Sequence, residues 1–174
     1  MDLIPHKNWR VTQNIHVSHA PSNEQWIMLD KWFDLHLKKE KTRIPATPSS
    51  NLETNDNQAV FTITPENKMN DLKEVEVYYS YDPNSITRFW KTALATNQNG
   101  TWTAQIEHKP QVPFYVHAIC RYSNGSEGTS LNGNTSTYVI NSLSHSIIPK
   151  HFDYKELSKL AKDTKIFEDF SNGI

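Results

Sequence analysis

Between Gln58 and Ser142 apolar residues recur at every second position, and no other feature restricts the fold of this chain so tightly. In Val75, Val77, Tyr79 and Tyr81, set against Glu74, Glu76, Tyr78 and Ser80, one row suits a core and the other suits solvent or a sheet edge. The same alternation runs through Phe61 and Ile63, through Trp102, Ala104 and Ile106, through Phe114, Val116, Ala118 and Cys120, and more briefly through Tyr138 and Ile140. Turn residues separate the runs: Asp82-Pro-Asn-Ser85, Asn97-Gln-Asn-Gly100, Lys109-Pro110 and Asn124-Gly125. The pattern predicts strands over residues 59–65, 74–81, 89–95, 102–107, 114–122 and 137–141, with Phe61, Val75, Val77, Trp102, Ile106, Val116 and Ala118 in the core. Parallel sheets would need crossover helices between these runs. Short strands with none between them point to an immunoglobulin-like or fibronectin-like antiparallel β-sandwich over residues 58–142.

A chain of 174 residues has room for one such domain with flanking elements, not for two full domains. Lys and Arg total 18 against 19 Asp and Glu, so no excess of cations favours nucleic acid or an anionic membrane surface as a partner. No apolar run is long enough to span a bilayer, and the first residues lack a signal-peptide core. An exported parent protein would carry its signal upstream. Cys120 is the single cysteine, so no intrachain disulfide forms; its place in an alternating run predicts a small buried hydrophobe.

Ahead of the sandwich the period changes to that of a helix. Trp26, Leu29, Phe33 and Leu37 fall on one stripe, widened by Met28, Trp32 and Leu35. Ser22 or Asn23 is the expected N-cap and Glu24 lies in the first turn, while Lys38 and Lys39 suit the negative end of the dipole, giving a helix over about 21–39. So wide an apolar stripe requires a large partner surface. Residues 40–57, rich in Pro, Ser, Thr and Asn and without periodicity, read as an extended linker. In the tail, residues 143–174, Phe152, Leu157, Leu160 and Ala161 fit a short helix with Asp153 as its cap, and the last residues read as the start of a further element. Both ends read as cut.

One segment has a catalytic character. Trp9-Arg-Val-Thr-Gln-Asn-Ile-His-Val-Ser-His-Ala-Pro21 reads as a strand followed by a histidine-bearing loop, directly before the apolar helix. A histidine so placed can take the proton of a serine presented elsewhere and return it to a leaving group. The stretch from Arg10 to Leu37 resembles the last strand, catalytic-histidine loop and last helix of α/β-hydrolase fold esterases and peptidases. The segments Val75-Glu-Val-Tyr-Tyr-Ser-Tyr-Asp82, Phe89-Trp90, Gly100-Thr-Trp-Thr-Ala104 and Pro113-Phe-Tyr-Val116 are similar to the domain that follows the catalytic domain in some acetylxylan-esterase-like and dienelactone-hydrolase-like proteins. A comparable arrangement occurs in the PhoPQ-activated pathogenicity-related family. The resemblance implies that residues 1–39 are the end of a catalytic domain, with His19 as general base and His16 the alternative, and that the partner of this chain is an α/β-hydrolase domain N-terminal to it. The chain itself has no Gly-x-Ser-x-Gly elbow, and the family's order would put the orienting acid upstream of Met1 as well. These residues are therefore expected to be inert on their own, as the C-terminal part of a serine hydrolase acting on an ester or related acyl bond. The competing reading is a stand-alone binding module built on the sandwich.

The remaining histidines are scattered, and no His, Cys or Asp set has metal-ligand spacing, so no metal and no cofactor is expected. His117 alternates out of phase with Val116 and Ala118 and is expected on an exposed face. Tyr78, Tyr79, Tyr81, Phe89, Trp90 and Trp102 could make an exposed aromatic strip that stacks on sugar rings, which makes carbohydrate the candidate ligand; against this, strand aromatics mostly fill cores.

Overall fold

The computed structural model describes residues 8–15, 20–39, 43–68, 71–85, 88–130 and 133–152. Among them are one helix, α1 (Asn23–His36), and nine strands: β1 (Ser49–Thr54), β2 (Gln58–Thr64), β3 (Leu72–Ser80), β4 (Lys91–Ala93), β5 (Ala95–Gln98), β6 (Thr101–Glu107), β7 (Phe114–Ser130), β8 (Gly133–Asn141) and β9 (His145–Ile147). The fold is mainly β, with two antiparallel sheets facing each other as a sandwich: one in the order β1-β2-β6-β5, the other in the order β4-β3-β7-β8 with β9 also against β7.

The period of two does what the sequence demands. Ala59, Phe61 and Ile63 of β2, Val75 and Val77 of β3, Ala104 and Ile106 of β6, and Phe114, Val116, Ala118 and Cys120 of β7 all turn into one buried cluster, with Trp102 partly buried against it. Tyr122 and Tyr138 stack in the same cluster with ring centroids 5.6 Å apart. At roughly 1.5–3 kcal/mol for each large side chain removed from water, this cluster dominates the folding free energy.

Five expectations need correction. The 49–54 part of the expected linker is strand β1, paired with β2 from Ser49↔Thr64 to Thr54↔Ala59. It is an edge strand that turns only Ser50 and Leu52 partly inward, so its sequence carries almost no alternation. The single strand expected over 89–95 is two short ones: β4 pairs with β3, β5 pairs with β6, and the chain changes sheet at Leu94, which is left 86 % exposed. The expected turn at Asn124-Gly125 lies inside β7, which passes through an irregularity between Ser123 and Gly128, with Gly125 at φ +78°, and continues to Ser130. The strand expected ahead of the histidine loop is not formed by residues 8–15. Asn141 binds this segment instead, its N–H donating to the Val11 carbonyl at 2.9 Å and its side chain exchanging bonds with the Gln13 backbone. His117, finally, is 3 % exposed rather than on the surface. The helix expected near 153–162 lies outside the described residues.

Helix α1 begins where its sequence says. Ser22 caps it, its hydroxyl accepting from the Gln25 N–H while the Gln25 side chain accepts from the Ser22 N–H. It ends at His36, and Lys39 beyond it takes a left-handed conformation (φ 58°).

Candidate functional site

The helix is seated on the sandwich by the side that carries Met28, Trp32 and Leu35, which widen the expected stripe, and not by its central row of Trp26, Leu29, Phe33 and Leu37. Glu24, Ile27 and Met28 are buried, and Lys31, Trp32 and Leu35 are half-buried. The contact is with β7 and β8, and Gly128 of β7 is the socket. A Cβ on Gly128 would lie 2.4 Å from Ile27 Cδ1, so a larger residue there would displace the Ile27 side chain from the position it packs in. Lys31 adds its ammonium over the Tyr138 ring, 5.0 Å from the centroid.

A charged seam locks this contact. Arg121 of β7 donates to Glu24 of α1, to Glu76 at 2.7 Å and to Glu74 at 3.3 Å. Glu24 also accepts from Thr137 at 2.6 Å and from Asn14 at 3.0 Å. Burial works to raise the Glu24 carboxyl, but the bonds from Arg121, Thr137 and Asn14 outweigh it and hold its pKa below the ordinary value. Burial likewise opposes the charge of Arg121, and Glu24 and Glu76 hold its pKa above the ordinary value.

The other side of the helix is left bare. Leu29 is 38 %, Phe33 44 % and Leu37 71 % exposed, and Trp26 is half-buried. These four residues are the stripe the helical spacing marks as apolar. The helix is apolar nearly all round, so spacing alone could not tell which side a sandwich with a glycine socket would take.

A second cluster lies on the outer side of the β3–β7 sheet. His117 pairs in register with Tyr78, the two rings stacked at 6.0 Å, and the Trp90 ring meets it edge-on at 4.5 Å. Neither imidazole nitrogen has a hydrogen-bond partner. Burial, and then the charge of Arg88, push the His117 pKa down to about 4, so the ring is neutral at pH 7. Arg88 lies over the Tyr115 ring, 3.5 Å from the centroid, and donates from Nε to the Asp82 carbonyl at 2.8 Å and from Nη2 to the Pro83 carbonyl at 3.4 Å.

His19 and His16, the residues expected to carry general-base chemistry, lie outside the described residues. Among the described residues a Ser–His contact does occur, with Ser50 Oγ 2.9 Å from His145 Nε2. It joins edge strand β1 to β9 across the mouth of the sandwich, and no described carboxylate is hydrogen-bonded to His145, so it clasps two sheets and lacks the orienting acid of a triad. The aromatic strip is divided. Tyr79 and Tyr81 pack on Phe114 toward the core, Trp102 is half-buried on the inner face, and Tyr78 and Trp90 lie on the outer face around His117, with Phe89 63 % exposed. Among the described residues these six rings do not form a single row. Cys120 is fully buried, its thiol pushed up to about 12 by burial, and is inert at neutral pH. No group of three or more His, Cys, Asp and Glu converges on a metal position among the described residues. Comparison with protein-family models, with curated proteins and with solved structures finds no match to this chain.

Proposed function

We propose that this chain is a non-catalytic β-sandwich module in which α1 is a joint with two sides. The inner side is bound to the sandwich through Ile27, Gly128 and the Glu24–Arg121 pair, and the outer side docks on a neighbouring catalytic domain. The observation that carries this reading is the exposed stripe of Leu29, Phe33 and Leu37 on a helix whose opposite side is already packed. Following the sequence resemblance, the catalytic domain is of the α/β-hydrolase type and acts on an ester or related acyl bond, with His19, or alternatively His16, as general base on the loop before α1. The strand order supports the immunoglobulin-like form of the sandwich. Labelled from A to G in chain order, β1 to β8 give A-B-E-D in one sheet and C′-C-F-G in the other.

The rival reading, a stand-alone binding module, draws support from the inner side of α1: so firm a seat makes the helix part of the sandwich unit, not of a distant domain. Hydrolysis of p-nitrophenyl acetate separates the two. Turnover by protein expressed from the whole reading frame, lost on His19→Ala and absent from these 174 residues alone, fits the hydrolase joint. Turnover that survives both His19→Ala and His16→Ala, or no turnover by any form, overturns it.

A further inference from the structure

The outer-face cluster poses a problem that packing does not solve. A buried imidazole with neither nitrogen bonded forfeits two hydrogen bonds, and such groups in folded proteins almost always have a partner, often a bound molecule. His117 is 3 % exposed with both nitrogens unpartnered. The cation beside it is in a related state. Arg88 is fixed by its Nε and Nη2 edge to two backbone carbonyls and by its position over the Tyr115 ring, and it forms no ion pair with a described carboxylate. Its Nη1 has no acceptor among the described residues. Trp90 links the two groups, lying 4.5 Å from the His117 ring and 5.6 Å from the Arg88 guanidinium.

We propose that Arg88 and His117 form a binding site for a small organic monocarboxylate, one oxygen accepting from the guanidinium and the other from an N–H of the neutral imidazole, with the ligand body against Trp90 and Tyr78. The charge balance favours this class: one cation and one neutral donor match a single negative charge, whereas a phosphate dianion would be left half-compensated. The walls favour a ligand with a flat or ring-shaped body, because Tyr78, Trp90 and Tyr115 are aromatic and offer little aliphatic surface, with one face of Tyr78 already stacked on His117 and one of Tyr115 covered by Arg88. Tyr78, Arg88, Trp90 and Tyr115 are each half-buried, so the cluster reaches the surface even though the imidazole does not. Binding displaces the Trp90 ring, which makes tryptophan fluorescence its reporter. The site is independent of α1 and of the hydrolase reading.

The experiment is titration of the whole chain with benzoate, with glucuronate as the sugar-derived carboxylate and benzamide as the neutral control, read by tryptophan fluorescence and by the His117 ring resonances in NMR. Saturable binding of benzoate or glucuronate but not of benzamide is expected, together with a rise in the His117 titration midpoint, because a bound carboxylate stabilises the imidazolium. Arg88→Gln should weaken that binding by about tenfold or more. Arg88 lies outside the core, so its variant keeps the fold, and the benzamide arm reports any general loosening. No saturable change with either carboxylate at tens of millimolar, or equal binding by Arg88→Gln, overturns the proposal.

Discussion

Arg121 of β7 donates to Glu24 in the first turn of α1, closing an ion pair between residues 97 positions apart in the chain. The pair is largely shielded, the two side chains being 23 % and 12 % exposed, and it ties the helix to the sheet at the point where Ile27 enters the Gly128 socket. Arg121→Ala would leave the Glu24 carboxylate half-desolvated beside its remaining neutral donors. After allowance for partial exposure the expected cost is about 2–4 kcal/mol in urea unfolding. Glu74→Ala removes a partner that is 55 % exposed and should cost under about 1 kcal/mol. Equal losses in the two variants would show that the seam does not hold the helix.

Gly128→Ala tests the socket. The new methyl would sit 2.4 Å from Ile27 Cδ1, so the Ile27 side chain must turn away from its packed position or the helix must shift, at up to about 1–3 kcal/mol. Ile27→Ala in the same chain removes the obstructing atom. The double variant should be more stable than the sum of the two single losses predicts, a coupling visible in a double-mutant cycle. Strict additivity would mean that the two residues do not touch.

The pH dependence follows from three groups whose pKa values are lowered by folding. His117 falls from 6.5 to about 4, so the stability it contributes is complete above pH 6.5 and is lost as pH falls toward 4. The slope in that window is at most one proton, about 1.4 kcal/mol per pH unit, and the total is of order 3 kcal/mol. His145, lowered by burial, adds in the same direction. The Glu24 carboxylate is lowered too, so its contribution is present above its ordinary value of 4.5 and is lost below it. Equilibrium unfolding at pH 7, 5.5 and 4 should show a falling stability that His117→Phe flattens between 6.5 and 4. An unchanged slope in that variant would place the titrating group elsewhere.

Val77→Asp checks the strand faces. Val77 is 1 % exposed in the core row of β3, and an unpaired carboxylate there should cost several kcal/mol, on the order of a small domain's whole stability. A melting temperature unaffected by this substitution would reverse the assignment of the two rows.

The core faces of the central strands were legible because the apolar residues on them recur at every second position: Phe61 and Ile63, Val75 and Val77, and Val116 and Ala118 all turn inward. Strand β1 was not legible, since an edge strand with Ser50 and Leu52 turned inward has little apolar signal to show. The side of α1 that packs was hidden for the opposite reason. With Trp26, Ile27, Met28, Leu29, Trp32, Phe33 and Leu35 all apolar, the choice depended on Gly128 and Arg121, about a hundred residues later, and no local pattern reports such a pairing. His117 was misplaced because its row was taken for a solvent face, whereas Tyr78 and Trp90 close over it. The histidine loop expected before α1 lies outside the described residues.

The most direct test of the two-sided helix is a comparison of Leu29→Lys/Phe33→Lys with Ile27→Lys, read by thermal melting and by binding of a hydrophobic dye. If the outer stripe is a docking side, the double variant keeps the melting temperature of the parent chain and loses dye binding. Ile27→Lys, which buries a charge in the glycine socket, should lower the melting temperature by several degrees or more. A double variant that melts as early as Ile27→Lys would contradict the account, because the stripe would then be part of the chain's own core.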